Sequence, residues 1–343
     1  MEPPLLIVNP ACGARRARTL PEVLEAVETS LGDVVIRYTS RRGHASELAE
    51  QGVRVGYRLI VAVGGDGTLS EVVDGVLRAS ETGGAPAGDA AGAAGAATPP
   101  GPGGTDAPAA APAPDAPAVG LINVGTGGDF RRSLGVGAGF ERSLEALSLG
   151  RDRLVDVGKT TFAGRDGRPV ERYFINVLSA GLGGLVDHYI DVIPSFVGGR
   201  AGYYLASLAA VAAGRERPVL AHITWNGETR DEEIPAYLVA ICNGRWFGGG
   251  MDIAPMALPD DGRLEVVTIT ERNRASLLAK TRTIYTGRHL DEPTVHHFPC
   301  ERIELRLADE AAQKRFLLDV DGDALGSLPL KVELLPQRLR VRA

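Results

Sequence analysis

The sequence predicts two domains: an N-terminal α/β domain built on a parallel sheet and a C-terminal, mainly antiparallel β-sandwich domain. The length of 343 residues suits about two domains. Short apolar runs alternate with helical segments up to residue 123, which is typical of βα units. Beyond residue 153, strand-like runs with alternating apolar and polar residues dominate. We place the domains at residues 1–153 and 154–343, and the extreme C-terminus is free to pack back on the first domain.

The first domain contains four predicted strands and three predicted helices in alternation. The strands are Leu5–Val8, Val34–Tyr38, Leu59–Val63 and Val119–Asn123, and the helices are Arg15–Thr29, His44–Val53 and Thr68–Ala79. Strands joined through helices in this way pair in parallel, and their crossovers are right-handed.

An insertion of unusual composition, residues 81–118, separates the last predicted helix from the last strand of this domain. It contains no apolar side chain larger than Ala and is rich in Gly, Pro and Ala. Such a segment buries too little surface to offset its ordering entropy, so we predict that it is disordered.

The second domain contains mainly predicted strands. Isoleucine and leucine alternate with charged residues along Ile303–Leu307, for example, as expected for a strand with one buried face. The predicted strands are Tyr173–Val177, Val219–Trp225, Ala236–Ile241, Leu264–Ile269, Ile303–Leu307, Phe316–Val320 and Lys331–Leu335, with helices near Arg200–Ala213 and Arg274–Thr283.

Composition excludes several classes of protein. The net charge of −6 disfavours a nucleic-acid binder. The three scattered cysteines (Cys12, Cys242 and Cys300) fit neither a disulfide framework nor a zinc site. The N-terminus lacks the basic segment of a secretory signal, and the apolar stretch Ala201–Ala213 is shorter than the roughly 20 residues of a membrane span. We expect a cytoplasmic protein that is able to touch a membrane from outside.

The most informative motif is Gly64-Gly65-Asp66-Gly67-Thr68, which lies between an apolar strand and a helix. Glycines let the backbone approach an anion closely, and the helix N-terminus supplies free amides with a positive partial charge. Asp66 would repel a phosphate directly, but it suits a site in which Mg²⁺ or water lies between them. A plain βα turn with Asp66 near the helix cap is the structural alternative. The pattern is neither a Walker A loop nor a dinucleotide-binding fingerprint.

Seven segments in order resemble one family. They are Asn9-Pro10-Ala11-Cys12-Gly13, Thr39-Ser40-Arg41-Arg42-Gly43-His44-Ala45, the Gly64–Thr68 turn, Gly125-Thr126-Gly127-Gly128-Asp129-Phe130, Val155-Asp156-Val157-Gly158, Leu258-Pro259-Asp260-Asp261-Gly262-Arg263-Leu264 and Asp321-Gly322-Asp323. Together they resemble the diacylglycerol kinase catalytic-domain family, which includes bacterial lipid kinases and is related to the sphingosine kinases. The glycine-rich turn is also similar to that of NAD kinases, so the resemblance implies a phosphofructokinase- and NAD-kinase-like first domain.

The resemblance implies a role for each motif. ATP is the implied phosphoryl donor, with Mg²⁺ held by an Asp–water network of Asp66, Asp129 and Asp156. Asp323 is the implied general base, acting together with Asp66 in catalysis, and a second, structural cation would be held by Leu258, Asp261 and Arg263. The implied ATP-binding residues are Asn9, Thr39, Gly64, Gly65, Asp66, Gly67, Thr68, Leu69, Ser70 and Thr126.

Two residues depart from the family pattern. Gly128 stands where the family has Asn, which removes a side-chain amide near the nucleotide. Asp323 replaces the more usual Glu and shortens the side chain by one methylene. The first change affects nucleotide geometry, and the second affects the size or orientation of the acceptor.

The implied activity is ATP-dependent phosphorylation of diacylglycerol or a related lipid alcohol, in phospholipid biosynthesis, at the inner membrane surface. A sphingoid-base kinase, an NAD kinase and a catalytically silent lipid- or nucleotide-binding regulator are the alternatives, and a homodimer remains open. Two basic clusters are candidates for contact with anionic headgroups, with a solvated helix face as the alternative. They are Arg15-Arg16-Ala17-Arg18 and Arg131-Arg132.

Overall fold

The computed structural model describes residues 2–12, 19–82, 112, 116–125, 127–192, 206, 209–211, 213–271, 276–277 and 282–343. Several predictions lie wholly or largely outside these residues. They concern Thr126, the basic cluster at Arg15–Arg18, most of the insertion, and the helices near Arg200–Ala213 and Arg274–Thr283.

The described residues include seventeen strands and, among the helices whose two ends are described, seven α-helices and a short 3-10 helix (Arg288–Asp291). The strands are β1 (Leu5–Val8), β2 (Val35–Tyr38), β3 (Leu59–Gly64), β4 (Ala118–Asn123), β5 (Asp152–Gly164), β6 (Pro169–Phe174), β7 (Val177–Gly181), β8 (Arg217–Trp225), β9 (Glu228–Ala236), β10 (Leu238–Cys242), β11 (Trp246–Phe247), β12 (Met251–Asp252), β13 (Leu264–Ile269), β14 (Val295–Cys300), β15 (Arg302–Leu307), β16 (Leu317–Val320) and β17 (Asp323–Arg342). The helices are α1 (Leu20–Leu31), α2 (His44–Val55), α3 (Asp66–Thr82), α4 (Asp129–Ser133), α5 (Phe140–Leu149), α6 (Leu182–Val192) and α7 (Glu310–Gln313).

The N-terminal half is a parallel sheet in the order β2-β1-β3-β4 with helices on both faces. On one face, α2 and α3 cover a cluster that includes Ile7, Ile60 and Val72. On the other, α1 and α5 cover a cluster that includes Val8 and Val63. Because both faces are covered, these strands consist mainly of apolar residues, as the sequence shows.

The C-terminal half is a sandwich of two antiparallel layers. One layer runs β14-β13-β10-β7-β16, and the other contains β9, β8, β15, β17, β5 and β6. Side chains from both layers, such as Val239 and Ile303, share one buried cluster. The predicted fold class, a parallel α/β domain followed by a β-sandwich, is confirmed.

Strand β17 connects the two halves. It pairs with β5 along most of its length, and its last residues, Val341 and Arg342, pair in parallel with Val119 and Gly120 of β4. The C-terminal end of the chain is therefore a fifth strand of the N-terminal sheet, with Val341 in the buried cluster beneath α3.

One predicted strand is wrong. Tyr173–Val177 covers the end of β6, the start of β7 and the two residues between them. The amides of those two residues, Ile175 and Asn176, donate to the carboxylate of Asp321 rather than to a strand. The side chain of Asp321, which is distant in sequence, interrupts the strand here, and the residues of the segment itself do not predict this interruption.

The insertion begins later than predicted. Helix α3 continues through Thr82, and the carboxylate of Glu81 lies 3.1 Å from Lys159 Nζ. Residues 81 and 82 therefore belong to the folded helix, and β4 begins at Ala118. The predicted disorder concerns residues outside the described part of the chain and stays a prediction.

Candidate active site

Two glycine-rich segments meet at the carboxyl edge of the parallel sheet. A Cβ on Gly64 would lie 2.3 Å from Thr68 Oγ1, and a Cβ on Gly125 would lie 2.7 Å from the Cα of Gly65. Neither approach is possible with a side chain present. The glycines therefore bring the turn after β3 against the loop after β4, at the N-terminus of α3.

Asp66 joins these two segments. Its Oδ2 accepts hydrogen bonds from the amides of Gly128 (2.6 Å) and Asp129 (3.1 Å), so it caps the N-terminus of α4. Its Oδ1 is buried and accepts no hydrogen bond from any described residue. A buried carboxylate oxygen without a donor is costly, so this atom is available to a bound cation or its water.

The other predicted nucleotide residues surround the same turn. Asn9 Nδ2 donates to Thr68 Oγ1 at 3.3 Å, and the backbone amide of Thr39 donates to the carbonyl of Val8. Leu69 differs from the rest because its side chain packs in the core and its amide already donates to Gly65. The hydroxyl of Ser70 is buried and has no hydrogen-bond partner among the described residues.

Asp129 lies beside Asp66 and reaches the second half of the chain. Its Oδ2 accepts a hydrogen bond from the amide of Gly249 at 2.8 Å, and its Oδ1 lies 3.5 Å from Arg132 Nη1. Burial, followed by the nearby charge of Asp66, raises the pKa of the Asp129 carboxyl above its usual range. The two acids therefore share a site that favours a cation.

Asp156 makes different contacts. Its Oδ2 accepts from the amide of Gly262 and its Oδ1 from the amide of Gln337, both at 2.7 Å. Its own amide donates to the carbonyl of Pro259. The described contacts bring Asp66 and Asp129 together, whereas they make Asp156 the anchor of the turn after residue 258. Burial raises the pKa of the Asp156 carboxyl.

The predicted structural cation site lies in that turn. Asp261 Oδ2 accepts from Arg263 Nε at 3.0 Å, and the same nitrogen lies 3.1 Å from Glu265 Oε1. Leu258 is exposed. Within the described part of the chain, no group of three or more His, Cys, Asp or Glu side chains is arranged to hold a metal ion. The site proposed from Leu258, Asp261 and Arg263 rests on backbone oxygens and one carboxylate, and it stays a prediction.

Asp323, the predicted base, lies at the junction of the two halves. Its Oδ1 accepts from Arg42 Nη2 at 2.5 Å, and its Oδ2 lies 3.8 Å from Arg172 Nη2. Arg42 belongs to the loop between β2 and α2, and Arg172 belongs to β6. The N-terminal half therefore supplies one of the two guanidinium groups that flank this carboxylate.

Two acids on α3 connect the segments that carry Arg42 and Arg172 to this helix. Sequence reasoning did not single out either acid. Glu71 accepts from the amides of Gly43 (2.8 Å) and Ala45, so it caps α2 just after Arg42. Asp74 Oδ2 lies 3.4 Å from Arg172 Nη1. The three-residue spacing of Glu71 and Asp74, which puts both acids on one helix face, was the sequence feature that could have indicated them. Arg42 lies in the Thr39–Ala45 segment at a position without an implied role, and no sequence feature indicated Arg172.

Asp321 holds the turn that presents Asp323. Its carboxylate accepts from the amides of Ile175, Asn176 and Val177, each at 3.0 Å. Burial raises its pKa to about 6, although the three amide donors oppose that shift. The turn is tight, because φ is 51° at Asp321 and 92° at Gly322.

Two further findings concern the membrane. Arg131 is buried and its Nη1 donates to the carbonyl of Val136, while Arg132 pairs with Asp129. The hypothesis that Arg131 contacts lipid headgroups is therefore wrong, because the fold buries its side chain. No helix among the described residues is long and apolar enough to cross a membrane.

Comparison with known proteins finds a matching family for each half of the chain. Residues 3–160 match the diacylglycerol kinase catalytic domain, and residues 176–343 match the YegS C-terminal NAD kinase beta sandwich-like domain. A crystal structure of a diacylglycerol kinase from Bacillus anthracis str. Sterne has the same fold, with a TM-score of 0.63, 22% identity, and coverage of 99% of this chain and 96% of that chain.

Curated relatives agree in length and in family. The diacylglycerol kinase of Bacillus subtilis (strain 168) is 25% identical over 94% of this chain and 90% of its own length. A protein of Chromohalobacter salexigens named "Probable lipid kinase YegS-like" is 26% identical over 96% of this chain and 90% of its own length. The resemblance read from the motifs is thus confirmed, and the chain belongs to the diacylglycerol kinase family of lipid kinases.

Proposed function

We propose that the protein transfers the γ-phosphoryl group of ATP to the hydroxyl of a lipid alcohol, with diacylglycerol as the leading acceptor. The observation that carries this proposal is the position of Asp323, a carboxylate of the C-terminal half that faces Arg42 and Arg172. Arg172 also contacts Asp74 of α3, and Arg42 precedes the residue whose amide Glu71 of α3 binds. The candidate base is therefore connected through these contacts to the helix that begins at Asp66. Family membership supplies the class of reaction.

The donor site is the N-terminus of α3. Its first amides, with those of the Gly64-Gly65 turn, suit the phosphates of ATP because a helix N-terminus carries a positive partial charge. Asn9 supports this turn through the Thr68 hydroxyl. We assign Thr126 to the same site from the family motif alone.

Mg²⁺ fits beside Asp66. The unpartnered, buried Oδ1 of Asp66 and the neighbouring Asp129 carboxylate are hard oxygen ligands of the kind that Mg²⁺ prefers, directly or through water. The ion would neutralise charge on the transferring phosphate. We assign its network to Asp66 and Asp129, and we assign Asp156 to holding the turn after residue 258.

We assign Asp323 the role of general base, which accepts the proton of the acceptor hydroxyl. As the acceptor oxygen bonds to the γ-phosphorus, the bond to the ADP oxygen breaks and ADP keeps that electron pair. The hydroxyl proton passes to the carboxylate of Asp323, whose Oδ2 lies beyond hydrogen-bond distance of Arg172 Nη2 in this structure. Arg42 holds Oδ1 and so fixes the direction in which Oδ2 points.

The acceptor is a membrane lipid, so we assign the protein to the inner surface of the membrane as a peripheral enzyme. The test is transfer of labelled γ-phosphate from ATP to diacylglycerol, phosphatidylglycerol, a sphingoid base and NAD, each with and without Mg²⁺. We expect Mg²⁺-dependent label in diacylglycerol. Label in NAD alone, or in no acceptor at all, would overturn the proposal.

A further inference from the structure

Asn123 is a side chain of the candidate site that neither the motifs nor the comparisons assign. It is the last residue of β4 and pairs with Gly64 of the phosphate turn in the sheet. Its Oδ1 accepts from the amide of Gly125 at 3.1 Å, and its Nδ2 donates to the carbonyl of Gly127 at 3.3 Å. One carboxamide therefore holds the loop after β4 at two points.

The same carboxamide fills the space next to Gly128. A Cβ on Gly128 would lie 2.3 Å from Asn123 Nδ2, closer than real contacts of a Cβ, and 3.0 Å from Arg131 Nε, which is a tight contact. Gly128 also has a φ of 109°, a conformation that favours glycine. A side chain at position 128 would therefore displace the Asn123 carboxamide from its bond to Gly127.

Gly128 in turn determines how Asp66 is held. The Gly128 amide donates to Asp66 Oδ2, and a Cβ on Gly127 would lie 2.4 Å from that same oxygen. Asn123 therefore hydrogen-bonds to the same backbone segment that contacts the Asp66 carboxylate. A shift of this loop would move the Asp66 carboxylate together with its unpartnered Oδ1.

We propose that Asn123 is a positioning residue for phosphoryl transfer, which acts on Asp66 through the backbone of Gly125, Gly127 and Gly128. Its carboxamide occupies the space that a side chain at residue 128 would enter. This inference rests on the proposed function for its effect on catalysis, but its structural part is measured without turnover.

Single substitutions test the two hydrogen bonds that the Asn123 carboxamide makes with Gly125 and Gly127. Asn123→Ala removes both hydrogen bonds, and Asn123→Asp keeps the bond from Gly125 but faces the carbonyl of Gly127 with an acceptor. We expect each to lower kcat/KM for ATP about tenfold, which is about 1.4 kcal/mol. The loss should appear as a lower kcat and a higher KM, because Asp66 and the Gly64–Thr68 turn move together.

The double substitution tests whether a side chain at position 128 meets the Asn123 carboxamide. Gly128→Asn alone should lower kcat/KM, because its side chain meets the Asn123 amide and its backbone is strained at a φ of 109°. In the Asn123→Ala background, the same substitution should lower kcat/KM about threefold less, because the carboxamide is gone while the backbone strain stays. Gly135→Asn is the matched control, since Gly135 also has a positive φ but has open space around its Cα. It should change kcat/KM by the same factor in both backgrounds.

Hydrogen exchange supplies a measurement that needs no activity. The amides of Gly128 and Asp129, bound to Asp66, should exchange faster in Asn123→Ala than in the wild type and in Gly135→Asn. An unchanged exchange rate in Asn123→Ala, or an equal effect of Gly128→Asn on kcat/KM in both backgrounds, would overturn the inference. A wild type that transfers no phosphate, with the expected exchange pattern, would overturn the proposed function and leave the structural role of Asn123 supported.

Discussion

At the scale of single residues, the site consists of carboxylates that differ in the groups their oxygen atoms contact. Asp66 uses one oxygen to cap α4, and its other oxygen accepts no hydrogen bond from the part of the chain that the structure describes. Asp156 and Asp321 bind only backbone amides through the described contacts, so they shape turns. Asp323 instead faces two guanidinium groups. Residues that look alike in the motifs thus divide into chemical and structural roles.

The raised pKa of Asp321 leads to a prediction for stability. Because burial raises this pKa from an ordinary 3.8 to about 6, the folded state favours the protonated acid. The resulting stabilisation is present below pH 3.8 and is lost as the pH rises through 6. Relative to Asp321→Asn, the free energy of unfolding of the wild type should therefore fall by roughly 3 kcal/mol between pH 3.5 and 7.

Chemical denaturation of both proteins across this pH range checks the prediction, with Asp33→Asn as the control because Asp33 is exposed. A wild type that gains stability over Asp321→Asn as the pH rises would show that the three amide donors outweigh burial.

At the scale of secondary-structure elements, α3 organises the site. Its first residue is Asp66, Glu71 caps α2, and Asp74 binds Arg172. The N-cap of α2 is Gly43, which has no side chain to serve as a cap. A neighbouring helix therefore supplies the acceptor that an N-cap residue commonly provides.

Removing that cap should destabilise the protein. Glu71→Ala leaves the amides of Gly43 and Ala45 without their acceptor, and we expect a loss of about 1–2 kcal/mol in the free energy of unfolding. The loss should exceed that of Glu25→Ala, a substitution of an exposed Glu on α1. Equal denaturation midpoints for the two variants would contradict the capping role.

The sequence predicted elements well where their own pattern was sufficient. The strand Leu264–Ile269 and the turn after β3 follow from local runs of apolar residues and glycines. Strand β9 was missed because most of its residues are exposed and polar. Arg42, Arg172 and Asn123 could not be assigned from their surroundings in the sequence, because their roles depend on partners in distant segments or on the space beside a glycine.

At the scale of the whole molecule, the two halves share one sheet. Among the described residues, fifteen strands are hydrogen-bonded in a continuous arrangement, and β17 connects the sandwich to β4. Leu339 and Val341 of this strand are buried in the same cluster as Ile60 of β3. The end of the chain therefore contributes to the core of the half that contains the phosphate turn.

This connection predicts a long-range effect of Leu339→Ala. The side chain is 2% exposed, and its truncation should cost about 2–5 kcal/mol in the free energy of unfolding. Amides of β3 and β4 should exchange faster as a result, although they lie in the other half of the chain. Leu149→Ala, at a leucine that is 79% exposed, is the control. Unchanged exchange in β3 and β4 would contradict the shared core.

We propose above that Asp323 and the turn at Asp66 form one phosphoryl-transfer site. The most direct test is single-turnover transfer from labelled ATP to dispersed diacylglycerol by the wild type, Asp323→Asn and the exposed control Asp33→Asn. We expect Asp323→Asn to bind ATP as the wild type does and to unfold at a similar denaturant concentration, but to transfer phosphate about 10²–10⁴ times more slowly. Transfer by Asp323→Asn within tenfold of the wild type would show that Asp323 is not the base.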